Sequence, residues 1–180
     1  ARSNNTGSVA CTVEVCNPEV PSGWCYTWDF TLTDGGWSAW AFSGATAIIN
    51  TGHTSSGWEA GYYHGNQYPN NRWRQSRIER TFSSTYLTQI DIEFAFTPGI
   101  LHAEAYRVVI ADGAGDTLTT IDIVNGQTSV NWTGDHPFGG LKIYLQCGMR
   151  TDSGDPGGIG NITAITLRGS GTNPFGANNC

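Results

Sequence analysis

Six of the seven tryptophans, Trp24, Trp28, Trp37, Trp40, Trp58 and Trp73, fall before residue 74, with Tyr62, Tyr63, His64 and Tyr68 among them. An aromatic face can stack on the axial C–H groups of a sugar ring while planar polar side chains beside it hydrogen-bond the hydroxyls. Each such ring contact contributes on the order of 1 kcal/mol. The stretch Gly57-Trp58-Glu59-Ala60-Gly61-Tyr62-Tyr63-His64-Gly65-Asn66-Gln67-Tyr68 supplies both kinds of group, and Asn70, Asn71 and Arg72 continue it to Trp73. Trp37, Trp40, Trp58, Tyr62, Tyr63, His64 and Trp73 are therefore the candidate ligand-contacting residues, expected to face solvent from a loop or irregular edge. Trp28, alternating with Phe30, reads as core filling instead.

Other chemistry is thinner. Closely spaced carboxylates and flexible Gly carbonyls at Asp112 to Asp116 and at Asp152 to Asp155 could supply the oxygens calcium takes, and Asp34, Asp152 and Asp155 form the candidate metal set. Ordinary turns braced by Asp side chains explain both runs equally well, and no cofactor is required. His53, His64, His102 and His136 have no ligand spacing for zinc, and no Gly-x-Ser-x-Gly elbow, P-loop or dinucleotide fingerprint occurs. Of five cysteines, Cys11 and Cys16 are near enough to close a small loop, Cys25 opens the first clear strand, and Cys180 is the last residue. The favoured pairing is Cys11 with Cys16 and Cys25 with Cys180. Cys147 is left as a buried thiol, and zinc on Cys11, Cys16 and Cys25 is the rival reading. Asn4, Asn131 and Asn161 each open an N-glycan acceptor triplet.

The elements that must position these groups are strands. Almost no stretch carries a helical period, whereas β-branched and aromatic runs recur between Gly, Asn and Asp clusters at 26–33, 45–50, 78–82, 87–96, 104–111, 117–124, 128–132, 141–147 and 162–168. Asp34-Gly35, Asp112-Gly113 and Asn125-Gly126 are dipeptides that tolerate the positive φ of tight turns, so residues 104–132 read as a three-stranded meander. Ile90, Ile92, Phe94 and Phe96 alternate with Gln89, Asp91, Glu93 and Ala95, the pattern of a sheet with one buried face. Two such faces make an all-β, two-sheet antiparallel sandwich. Residues 1–24 read as an irregular N-terminal arm held by cysteines, and 25–180 as the sandwich domain.

Composition narrows the partners. With 9 basic and 15 acidic residues the net charge is −6, and Lys142 is the only lysine, so no basic stripe exists for nucleic acid. No apolar run approaches the roughly 20 residues of a membrane helix. A chain of 180 residues can enclose one core, burying about 70% of its unfolded surface. Low charge (13%) and five cysteines suggest an oxidising, extracellular compartment. Ala1 is not followed by a signal-peptide pattern, so the sequence reads as a mature form or a part of something larger.

The opening run Trp28-Asp29-Phe30-Thr31-Leu32-Thr33 into Asp34-Gly35-Gly36-Trp37, with the closing run Gly160-Asn161-Ile162-Thr163-Ala164-Ile165-Thr166-Leu167, resembles the galactose-binding-like jelly rolls, a group that includes many carbohydrate-binding modules. The resemblance implies that the first and last strands pair antiparallel, which would bring Cys25 beside the exit toward Cys180. Asn161 lacks the Asp that often precedes it in that family, which weakens transfer of the family's calcium site. Gln89-Ile90-Asp91-Ile92-Glu93 is similar to the Glu-Ile-Asp-Ile-Glu strand of a laminarinase-like glycosidase family, but the nucleophile position is Gln89, which cannot form a glycosyl ester. The expectation is a non-catalytic carbohydrate-binding or adhesion module of an extracellular or virion-surface protein. The alternatives are a structural subunit of a phage virion or surface filament, packing against neighbouring domains or copies of itself, and a glycoside hydrolase.

Overall fold

A computed structural model describes residues 23–41, 47–48, 51–61, 63–64, 73–96, 105–124, 126–148 and 159–180. Residues 1–22 of the expected arm, Cys11, Cys16, Tyr62, Asp152 and Asp155 lie outside the described residues, whereas Trp24, expected to end the arm, opens the first strand and is buried in the core. Every regular element described is a strand: β1 (Trp24–Asp29), β2 (Ser38–Ala41), β3 (Ala47–Ile48), β4 (Thr51–Thr54), β5 (Gly57–Gly61), β6 (Tyr63–His64), β7 (Trp73–Phe96), β8 (Ala105–Asp112), β9 (Thr117–Ile123), β10 (Ser129–Gly148) and β11 (Ile159–Ser170).

Nine of these strands hydrogen-bond into one antiparallel sheet with the path β4-β5-β11-β7-β10-β8-β9, and β3 pairs separately with β6. Short strands share the flanks of long ones. β11 pairs with β5 over Ile159 to Ile162 and with β1 over Ala164 to Gly169, while the flank of β7 not taken by β10 is occupied first by β2 and then by β11.

The length of β7 explains the curl. Its 24 residues would extend to roughly 80 Å if straight, at about 3.3 Å each, more than a domain of this size can span. The burial phase shows where it bends: Ser76 and Ile78 are buried, then Thr85 and Leu87, then Ile90, Ile92 and Phe94. The inward set changes from even to odd positions and back. β10 has matching register shifts between Thr133 and His136 and between Phe138 and Gly140, each a bulge that lets a strand turn over the core. Pro137 sits where β10 pairs with β7 alone, so its missing N–H costs no ladder bond to β8.

Two expectations change here. The runs 78–82 and 87–96 are one strand, as are 128–132 and 141–147, because the bridges between them keep partners at Thr85 and Tyr86 on one strand and at Thr133, His136, Pro137 and Phe138 on the other despite lacking apolar alternation. Nor is 104–132 a simple meander: β10 returns beside β8, leaving β9 at the sheet edge. The two halves of the curled sheet close over Trp28, Phe30, Leu87, Ile90, Ile92, Phe138, Leu141, Ile143, Ile165 and Leu167, each no more than 4% exposed. The first and last strands do pair antiparallel, from Trp24 opposite Gly169 to Asp29 opposite Ala164, and Cys25 is disulfide-bonded to Cys180 with Cα atoms 5.7 Å apart. The all-β antiparallel reading holds.

Candidate functional site

Trp37 and Trp58 do not face solvent. They are 4% and 6% exposed and belong to the core, where Trp37 meets Trp28 edge-on at 5.5 Å and Phe30 at 5.9 Å, and Trp58 meets Phe30 at 6.4 Å. This corrects the expectation of solvent-facing rings at both positions. The glycines before them explain the difference. Gly36 (φ +70°) and Gly57 (φ +109°) take left-handed conformations that turn the chain inward, and a Cβ on Gly57 would lie 2.5 Å from the Ile162 carbonyl oxygen. What looked like exposed loop punctuation is the hinge that lays each ring into the interior.

The other candidate aromatics occupy strand positions. Trp40 lies in β2 opposite Arg77 of β7, and Trp73 opens β7 opposite Gly148 of β10. Tyr63 and His64 form β6, opposite Ile48 and Ala47. Among the described residues no strand pairing joins β6 to β2 or β7. The Asp34 carboxylate accepts a 2.9 Å bond from the Gly36 amide and so braces its turn. Among the described residues no three His, Cys, Asp or Glu side chains cluster as a metal site would require.

The register of β7, β10, β8 and β9 nevertheless builds an outward face around the Trp40 and Trp73 positions. Ile78, Leu141, Ile143, Leu145, Val108 and Ile110 point into the core, so the alternate positions Arg77, Glu79, Lys142, Tyr144, Gln146, Arg107 and Val109 lie on the opposite side. Val109 and Gln146 are its buried floor, and Arg77, Glu79, Lys142, Tyr144 and Arg107 stand half-buried around them. The Arg77 guanidinium is 5.7 Å from the Tyr144 ring centroid and forms a two-pronged pair with Glu79 at 3.2 and 3.3 Å. Next to it Arg107 Nε donates to Gln146 Oε1. Thr120 and Asp122 of β9 extend the rows, opposite Val109 and Arg107.

Three cations, Arg77, Arg107 and Lys142, stand against two carboxylates, Glu79 and Asp122, so this face is nearly neutral on an acidic chain. Its chemistry is a stacked aromatic ring, two guanidinium forks and a primary amide held on rigid strands. These groups donate and accept hydrogen bonds in fixed planes, and they include no nucleophile with a base beside it. The face was absent from the sequence reading. The signal that could have found it is the complement of a recognised pattern: Lys142, Tyr144 and Gln146 are the alternates of the apolar set Leu141, Ile143 and Leu145.

The glycosidase-like run lies on the outward side of the other half. Gln89 Nε2 donates to both Asp91 carboxylate oxygens at 2.8 Å, so an amide stands where a retaining enzyme would carry its nucleophile.

No protein-family profile matches the chain, and a search of curated proteins finds no match. Among solved structures, the chain is similar to a family two carbohydrate esterase from Cellvibrio japonicus, at 15% identity and a TM-score of 0.41, covering 84% of this chain and 36% of that one. The chain thus spans about a third of the esterase's length. It is also similar to a family 29 carbohydrate-binding module, at 13% identity and a TM-score of 0.37, covering 74% of this chain and 80% of that one. A family 32 carbohydrate-binding module from C. perfringens in complex with galactose is similar at 10% identity and a TM-score of 0.37, covering 80% and 98%.

Proposed function

We propose that the chain is a non-catalytic carbohydrate-binding module of an extracellular or virion-surface protein, and that it binds glycan on the outward face of β2, β7, β10 and β8. The observation that carries this reading is the Arg77 fork stacked on Tyr144 beside the Arg107 to Gln146 hydrogen bond, with the Trp40 and Trp73 positions in register around it. Planar donors and acceptors held on strands match the spread hydroxyls of a sugar, and an aromatic ring supplies the stacking surface. Near-neutral charge favours an uncharged glycan.

A glycan array probed with the intact chain tests the reading. Specific signal that disappears in Tyr144→Ala, Trp40→Ala and Trp73→Ala variants of unchanged circular dichroism is the expected result. A blank array with the folded chain, or a signal untouched by all three variants, overturns it.

A further inference from the structure

Two of the three Asn-x-Thr triplets, those at Asn131 and Asn161, lie among the described residues, and glycan binding uses neither. Asn4 lies outside the described residues. Such a triplet accepts an N-linked oligosaccharide when its middle residue is not proline and its amide stands at the surface. Trp132 and Ile162 both meet the first condition. The surroundings decide the second.

Asn131 and Thr133 are alternate residues of β10, so both project on one side of the strand, and both are exposed. Trp132 between them packs against the core and meets the Phe138 ring edge-on at 5.8 Å. Gly134 lets that indole lie against the backbone, since a Cβ there would overlap the ring. The ring thereby fixes which side of β10 carries the amide and the hydroxyl. From Ser129 to Phe138 β10 pairs with β7 alone, because β8 joins it only from Leu141 onward. Among the described residues no strand pairs with Asn131 on its other flank.

Asn161 is enclosed. It lies in β11 between Glu59 of β5 and Ala95 of β7, and its Oδ1 is buried without a hydrogen-bond partner. The next residues are closely covered, since a Cβ on Gly57 would lie 2.5 Å from the Ile162 carbonyl oxygen and 3.3 Å from Thr163 Cα. Attachment of a sugar makes the side-chain amide secondary, and the trans form that such amides prefer places the sugar on the same side as Oδ1. At Asn161 that side is sealed.

We propose that Asn131 is an N-glycan acceptor of this chain and that Asn161, despite its triplet, is not. The donor class is an oligosaccharide carried on a polyprenyl diphosphate. Asn131 Nδ2 bonds to C1 of the first sugar as the C1–oxygen bond breaks; the diphosphate leaves with that electron pair, and the amide releases one proton. No oxidant or reductant takes part. The attached chain stands over the open flank of β10, where its bulk and hydration keep another strand from pairing. It occupies the half of the sheet that carries Gln89 and Asp91, so the assignment rests on the exported location proposed above and on nothing about the binding face.

Cell-free translation of the full chain with microsomes supplies donor and transferase. The protease-resistant fraction is mapped by mass spectrometry after enzymatic glycan removal in heavy-oxygen water, which marks each formerly glycosylated asparagine as a labelled aspartate. Label is expected at position 131 and not at 161, abolished by Thr133→Val and retained in Asn161→Gln. An unoccupied Asn131 or an occupied Asn161 in that fraction overturns the inference. A second measurement needs no transferase: in the folded chain, Asn131→Cys is expected to take a bulky maleimide and Asn161→Cys to resist it, with peptide mapping to set apart labels on the native cysteines. No label at position 131, or equal label at 161, overturns it.

Discussion

The two outward faces of the curled sheet share β7 and β10 but present different chemistry. On the β8 side, Arg77, Tyr144, Arg107 and Gln146 combine an aromatic ring with long planar donors. On the β11 side, Thr27, Thr166, Asp91 and Asn131 follow one another across four strands, with Arg168, Gln89 and Thr133 in the adjoining row. These groups are mostly short and already partnered: Thr27 and Thr166 hydroxyls lie 2.8 Å apart, and Gln89 holds Asp91. One face offers a stacking surface with a buried floor, and the other a self-satisfied polar surface. The comparison teaches that recognition is set by which side chains the bends in β7 and β10 bring outward, since backbone and core are common to both.

The largest expected effect removes that common ground. Phe138 is fully buried on β10 between its two register shifts, and Phe138→Ala is expected to destabilise by about 3–5 kcal/mol, read as a lower urea midpoint. Both faces should fail together.

Next in size is the contrast itself. Tyr144→Ala is expected to weaken binding of an array-identified glycan about five- to tenfold, while Asp91→Ala leaves it unchanged in titration calorimetry. Equal losses would erase the distinction between the faces.

The smallest effect lies at the turn joining β8 and β9. Desolvation is the largest single influence on the Asp112 carboxyl and pushes it up, but hydrogen bonds from the Asp116, Gly115 and Ala114 amides and the nearby His136 together outweigh it and hold the group below its ordinary value of 3.8. A depressed folded value means the stabilisation is present above the ordinary value and lost as pH falls through the folded one. Solvent screening keeps the effect well under about 1 kcal/mol. Asp112→Asn is therefore expected to flatten the drop in urea midpoint between about pH 6 and about pH 3.

Local alternation made much of this architecture legible. Ile90, Ile92 and Phe94 announce a half-buried strand, and the paired ends with Cys25 and Cys180 follow from the opening and closing runs. Residues 83–86 were illegible as strand because Ser83 and Ser84 carry no apolar alternation and Thr85 and Tyr86 take their partners from β10 and β11, not from a pattern of their own. Trp37 and Trp58 misled for a conformational reason, since a glycine beside an aromatic residue looks the same in sequence whether the turn leads outward or inward. The candidate face was missed because its members come from distant strands, and only register brings Arg77 against Tyr144.

The disulfide has a mechanical consequence. A pull on Cys180 against residues preceding Cys25 is carried by the sulfur–sulfur bond, so the 155-residue interval between the two cysteines is bypassed by the load. Tension would reach the sheet only after that covalent shunt had been cut, leaving the outward faces undistorted while the chain around them is under strain.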